Sequence, residues 1–184
     1  MRLIIVYYKH NVGLFVGRFQ PFHRGHESVV RKMLEDCERV IIAIGSAQES
    51  GTNVNPFRYE YRRLMIQKVF PNYFDRIIIL GITDRIHPSD DESWGEYLLN
   101  NIYQNIKIRP DVIYQGIEDK HSHWFDSFDI PVVNIDRDLL KVSATEIRKA
   151  ILEENFTRFK TFMPKALHSE FKNLKEILKD AKSN

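Results

Sequence analysis

Five short runs of β-branched and aliphatic residues recur along the chain, and each is apolar on both sides of the backbone. They are residues 12–16 (VGLFV), 39–44 (RVIIAI), 76–80 (RIIIL), 111–114 (DVIY) and 131–135 (PVVNI). A strand with one wet face alternates apolar and polar residues. A strand covered on both faces does not, and reads as a short continuous apolar run. Runs of this kind therefore predict a parallel sheet with helices on each side. Segments of helical period fill the gaps, at residues 25–37, 56–70, 92–104 and 143–153, with a tail at 165–179. The second opens on Pro56, which suits a helix start. The fourth begins Ser143-Ala144-Thr145-Glu146, the pattern of a capping box with Ser143 as N-cap. The tail carries Leu167, Phe171, Leu174, Ile177 and Leu178 on one stripe, for packing on the domain or on a neighbouring subunit.

This order predicts an α/β fold: a doubly wound, Rossmann-like parallel sheet with helices on both faces and a C-terminal helical tail over 155–184. Residues 1–184 make one domain. Residues 1–11 stand ahead of the first run, as an extra edge strand or as the relic of an upstream start codon. In such sheets ligands bind beyond the carboxyl ends of the strands, where the strand order reverses. A net charge of +2 excludes a general nucleic-acid binder but leaves room for a local basic pocket. Cys37 is the single cysteine, expected as a small core residue on a helix, so no internal disulfide forms. No apolar run approaches the roughly 20 residues needed to cross a bilayer. These features predict a cytoplasmic protein with no membrane or nucleic-acid partner.

The exit of the first run is the richest in chemistry. Residues 17–26 read GRFQPFHRGH. A strand-to-helix turn offers free backbone N–H groups and a positive helix end, which suit phosphate. His23 and His26 are three apart and can face one way on a first helical turn, and Gly25 removes a side chain between them. Arg18 adds a planar, fixed charge. A His-x-x-His metal pair is the competing reading, and no third ligand of the right type stands nearby. A second anion site is expected at residues 141–149, KVSATEIRK, where hydroxyls, free N–H groups and Arg148 meet at a helix start.

GRFQPFHRGH resembles the His-x-Gly-His signature of the nucleotidyltransferase superfamily. In its longer form it is similar to that of the archaeal-type nicotinamide-nucleotide adenylyltransferases. Ser143, Thr145 and Arg148 match the second motif of that family, Ser-x-Thr-x-x-Arg. The resemblance implies transfer of AMP from ATP to nicotinamide mononucleotide, giving NAD and pyrophosphate, with Mg²⁺ brought in by ATP. It implies ATP contacts at Gly17, Arg18, Phe19, Gln20, His23, His26, Gly116, Ser143, Thr145 and Arg148. The catalytic set is His23, His26, Arg18 and Arg148, with His26 on the α-phosphoryl oxygens. Gly45, Ser46, Gln48, Asp84, Asp91 and Trp94 would form the acceptor pocket, with Trp94 stacked on the pyridine ring.

The pattern is incomplete. Where the family has Glu-Arg this chain has Tyr61-Arg62, and Val54 stands where a basic residue is usual. His87, His121 and His123 are read as loop histidines, not as metal ligands. Partners are thus ATP and a pyridine mononucleotide, with a homo-oligomer expected from the family. The same chemistry on nicotinate mononucleotide, FMN or phosphopantetheine is the near alternative. A non-catalytic nucleotide sensor on the same fold is the distant one.

Overall fold

In a sheet whose strands are covered on both faces, successive residues of one strand must enter two different cores. β2 (Cys37–Ile44) does so: Val40, Ile42 and Ile44 enter one cluster, and Ile41 and Ala43 enter the other. The computed structural model describes residues 7–85, 91–116, 122–136 and 142–183, and only the backbone of 91–93, 122–123 and 183. Among these, β1 (His10–Gly17), β2, β3 (Ile77–Gly81), β4 (Val112–Gly116) and β5 (Val132–Ile135) form one sheet in the order β3-β2-β1-β4-β5. Every pairing is parallel. The expected α/β fold is therefore present.

One face is covered by α1 (Arg24–Asp36), α2 (Tyr59–Val69) and α4 (Ala144–Leu152), with α5 (Phe156–Phe162) and α6 (Phe171–Ser183) of the tail. The other is covered by α3 (Asp91–Ile106) and a 3-10 turn at Ser122–Phe125. Met33, Ile66, Ile151, Phe159 and Leu174 anchor the first layer, and Leu98, Leu99 and Ile102 the second. Burying an aliphatic or aromatic side chain of this size stabilises by roughly 1.5–3 kcal/mol, so the two clusters are the main source of fold stability. No helix among the described residues is long and apolar enough to cross a membrane.

Four local expectations change. First, β1 starts at His10, and residues 7–9 are not a strand, so the described part of 1–11 adds no edge strand; residues 1–6 lie outside the described residues. Lys9 instead donates its N–H to the carbonyl of Asp36 at 2.8 Å and pairs with the Asp36 carboxylate at 2.9 Å. Second, Pro56 precedes α2, whose N-cap is Arg58. The Phe57 N–H is bonded to Gln20 Oε1 at 2.9 Å, which holds that segment out of a helix. Third, Cys37 is the C-cap of α1 and the first residue of β2, with extended backbone, so helix and strand join without a loop. Fourth, the tail is not one helix over 165–179. A 3-10 turn at Lys165–Glu170 comes first, and it turns Glu170 inward to Tyr61 Oη (2.7 Å) and to Lys68. The tail stripe packs on the chain's own core: Leu167 and Leu174 are fully buried.

At the amino end of the sheet, Asp36 is buried beneath β4. Burial alone would raise its carboxyl pKa. Hydrogen bonds from Lys32 (2.9 Å), Lys9 (2.9 Å) and Tyr114 Oη (3.0 Å) outweigh burial and hold it at about 2. The unfolded carboxyl sits at about 3.9. A folded value below the unfolded one means stability present above pH ~4 and lost as pH falls toward ~2. Urea unfolding followed from pH 5 to pH 2 is expected to show this loss. Asp36→Asn should flatten that part of the profile; an unchanged slope would assign the acid sensitivity elsewhere.

Candidate active site

The carboxyl ends of β1, β2 and β4, the segment after β3, the start of α1 and the start of α4 open onto one cleft of about 730 Å³. On the β1 side the strand ends at Gly17, and Phe19 follows with φ of 52°, in the left-handed region that an L side chain resists. Its ring folds back into the core, 1% exposed, and a Cβ on Gly17 would stand 2.9 Å from it. Glycine is needed there for that close approach. His23 is the N-cap of α1 and His26 its third residue. The two rings stack at 3.6 Å and 23°, and His26 Nδ1 accepts the backbone N–H of His23 at 3.3 Å. A nitrogen that accepts a backbone N–H carries no proton, so neutral His26 holds its proton on Nε2 as a donor.

Gln20 lines the cleft and also joins two of its loops. Its side chain pairs with the backbone of Phe57, Nε2 to O at 3.0 Å and Oε1 to N at 2.9 Å, and is 3% exposed. That amide ties the β1 exit to the loop ahead of α2. The backbone carbonyl of Gln20 accepts from Arg148 Nη1 at 2.7 Å, which links the two motifs directly.

On the opposite wall, Ser143 caps α4 as its sequence implies. Its Oγ accepts from the Glu146 N–H at 3.2 Å, and Glu146 Oε2 accepts from the Ser143 N–H at 3.3 Å. Arg148 Nη2 donates to Thr145 Oγ1 at 3.2 Å. The Arg148 pKa is lowered by burial and by the charge of Arg18 across the cleft. An arginine stays protonated at neutral pH regardless. Two guanidinium groups that repel each other across one space make a site for a polyanion.

The third side is built from the β2 and β3 exits. Ser46, with φ of 47°, donates from Oγ to Asp84 Oδ1 at 3.1 Å. Gln48 pairs with Asp84 twice, from Nε2 to Oδ2 at 2.9 Å and from the Asp84 N–H to Oε1 at 3.1 Å. Trp94, on the first turns of α3, faces the same cleft with Trp124 beside it, ring centroids 4.2 Å apart.

Of the residues singled out from sequence, Gly17, Arg18, Phe19, Gln20, His23 and His26 line the cleft from one side. Ser143, Thr145 and Arg148 line it from another, and Gly45, Ser46, Asp84 and Trp94 from the third. Gln48 reaches it only through Asp84, and at the β4 exit Tyr114 and Gln115 line it in place of Gly116. Asp91 opens α3, and its side chain lies outside the described residues, as do His87, His121 and the side chain of His123. Among the described residues no group of three or more His, Cys, Asp or Glu could hold a metal ion. The cleft offers the cations Arg18 and Arg148 on two of its walls, and the carboxylate of Asp84 on the third. Sequence reasoning passed over Trp124 and gave Arg62 no role. Trp124 follows a stretch with no motif, and the burial of Arg62 depends on tertiary packing.

A family model described as cytidylyltransferase-like matches residues 14–150. Over 180 residues the chain is 33% identical to a nicotinamide-nucleotide adenylyltransferase of Sulfurisphaera tokodaii, covering 93% of this chain and 97% of that one. Its fold is shared by a bifunctional NMN adenylyltransferase/ADP ribose pyrophosphatase from Francisella tularensis, at TM-score 0.77 and 24% identity. That likeness covers 95% of this chain and 53% of the other, so the chain spans about half the length of the bifunctional protein. A second structure of that kind, from the same organism and complexed with AMP and a manganese ion, aligns at TM-score 0.70 and 24% identity, covering 92% of this chain and 52% of that one.

The Trp94–Trp124 pair depends on Gly95. A Cβ at Gly95 would lie 2.0 Å from the carbonyl oxygen of Trp124, a backbone atom that cannot turn aside. Gly95→Ala must force α3 away from the 3-10 turn. The expected outcome is a loss of about 1–3 kcal/mol, the usual penalty for overpacking, read by urea denaturation. Wild-type stability in that variant would show that the contact is looser than the geometry states.

Proposed function

We propose that this chain, which belongs to the cytidylyltransferase-like family, transfers AMP from ATP to nicotinamide mononucleotide, giving NAD and pyrophosphate. The observation that carries this reading is one cleft with two cationic, N–H-rich walls and an aromatic third side. Support comes from a relative of nearly equal length that bears the name of that activity.

In the proposed reaction a 5′-phosphate oxygen of the mononucleotide attacks the α-phosphorus of ATP. A new P–O bond forms, the bond from the α-phosphorus to the bridging oxygen breaks, and pyrophosphate leaves with the electron pair. The nucleophile is already an anion, so the protein has to position it and to neutralise charge. His26 Nε2–H donates to the α-phosphoryl oxygens. His23, Arg18 and Arg148 hold the departing pyrophosphate, helped by Ser143 and Thr145 at the start of α4. Phe19 and Gln20 shape the β1 side, and Gly17 and Gly45 let backbone approach the nucleotides. Mg²⁺ enters with ATP as part of the substrate and neutralises phosphate charge. The pyridinium lies against Trp94, where an electron-rich face attracts a cation. Ser46 and Asp84 border that ring, with Gln48 fixing Asp84. A carboxylate at this place also repels the acid form of the ring, which favours the amide.

The deciding assay is pyrophosphate release with ATP, Mg²⁺ and a panel of mononucleotides, including nicotinate mononucleotide and FMN. Release is expected with nicotinamide mononucleotide above the others. Silence with every acceptor would favour a sensor. His26→Ala should lower kcat by about 10²–10³-fold, as loss of an oxyanion donor does, with a much smaller change in ATP affinity. Equal losses in both would take His26 out of the transition-state role. Trp94→Ala should raise the KM for the mononucleotide about tenfold and leave that for ATP nearly unchanged.

A further inference from the structure

Arg62 is fully buried and does not line the cleft, yet its guanidinium holds both sides of the cleft floor. Nη1 donates to the carbonyl of Arg18 at 2.9 Å and to that of Gly45 at 2.8 Å, and Nη2 donates to that of Ser46 at 2.9 Å. β1 and β2 run in parallel register to Gly17 and Ile44, and one more backbone bond joins Gly45 N–H to Gly17 O at 2.9 Å. Beyond it the strands diverge. Arg18 leads to His23 and His26, and Ser46 leads to Asp84. The carbonyls at the fork have lost their ladder partners, and the fixed guanidinium fork supplies the next rung from a side chain.

A second observation falls on the same atoms. Four described residues other than glycine have left-handed backbone: Phe19, Ser46, Lys107 and Glu154. Lys107 and Glu154 are exposed and stand just past the ends of α3 and α4, where that conformation is ordinary. Phe19 and Ser46 are buried at the two strand exits. Phe19 directly follows a carbonyl held by Arg62, and the Ser46 carbonyl is itself held. Both strained turns are thus stapled by one guanidinium.

None of the ion pairs among the described residues includes Arg62. Its charge sits on carbonyl oxygens in the core. A buried cation held in this way is a poor stabiliser compared with an apolar side chain of the same volume. Burial lowers its pKa to about 10, so it remains protonated at neutral pH.

We propose that Arg62 is a positioning residue that sets the separation between the polyphosphate half and the acceptor half of the cleft. The proposal rests on the AMP-transfer reading. In that reading the ATP-holding groups lie at the β1 exit and the α4 start, and the acceptor-holding groups at the β2 exit, Asp84 and Trp94, so neither affinity depends on the separation of the β1 and β2 exits. The distance from the attacking oxygen to the α-phosphorus depends on both. A displacement of about 1 Å can cost about 10²-fold in rate with binding nearly intact.

The test compares wild type with Arg62→Lys, which keeps the charge and loses the fork, and with Arg62→Met, which keeps only the volume. Turnover is measured per folded molecule, with the folded fraction taken from urea titration. Dissociation constants for ATP and for nicotinamide mononucleotide are measured separately by calorimetry. The expected result is a kcat lowered about 100-fold in Arg62→Lys, with both separate affinities close to wild type. Wild-type kcat in folded Arg62→Lys overturns the proposal, as does a kcat loss matched by equal losses of both affinities. Failure of both variants to fold also overturns it, in favour of a purely structural arginine. A wild-type protein that makes no dinucleotide removes the functional reading itself, whereas active wild type with an indifferent Arg62→Lys removes only the positioning role.

Discussion

β1 is bonded in parallel to β2 on one flank and to β4 on the other, and the connections out of these pairings travel over opposite faces of the sheet. A parallel connection cannot be a tight hairpin; it must cross a face. From β1 the chain goes by α1 to β2 and by α2 to β3 over one face, then by α3 over the other to β4. No crossover fills the space above the carboxyl end of β1, and a cleft opens there. Everything that gives the cleft its chemistry is delivered by this one constraint. The turn after β1 carries Arg18 and the histidines, those after β2 and β3 carry Ser46 and Asp84, and the segment after β5 carries Ser143 and Arg148.

Within that frame the site is assembled from backbone as much as from side chains. Arg148 grips the Gln20 carbonyl, the Gln20 amide grips Phe57, and Arg62 grips the carbonyls of Arg18, Gly45 and Ser46. Each bond runs between elements far apart in sequence. Even the tail takes part. Glu170 bonds Tyr61, the residue before Arg62, so the last third of the chain helps hold α2 beneath the cleft. The family pattern has a glutamate at position 61. Here a tyrosine stands in its place, and a carboxylate arrives at it from the tail.

The sheet was readable in the sequence because covered strands leave a continuous apolar trace, and the five runs fell where strands are. Their ends were less readable. Nothing local in Cys37 says that α1 becomes β2 without a loop; its sulfur packs close to Gly13 of β1, a contact between residues far apart in sequence. The capping pattern at Ser143 was legible since it is a property of four consecutive residues. The two motifs were legible as motifs, and the structure brings them to one cleft. What they did not reveal was the division of labour inside them: the amide of Gln20 turns inward to Phe57, while Arg18 faces outward. Gly95 and Arg62 escaped notice for a related reason. Their meaning lies in a carbonyl oxygen contributed by another part of the chain, and a one-dimensional pattern holds no trace of it.

The chain has two tryptophans, and both line this cleft in contact with each other. An indole elsewhere would add a constant background to the emission of the protein. Here there is none, so all of its tryptophan fluorescence originates at this one side of the cleft. A pyridinium ring brought against Trp94 would be an electron acceptor at van der Waals distance from the fluorophore. On the proposed reading the two indoles would serve as an intrinsic optical reporter of acceptor occupancy, blind to events at the far end of the sheet and requiring no label.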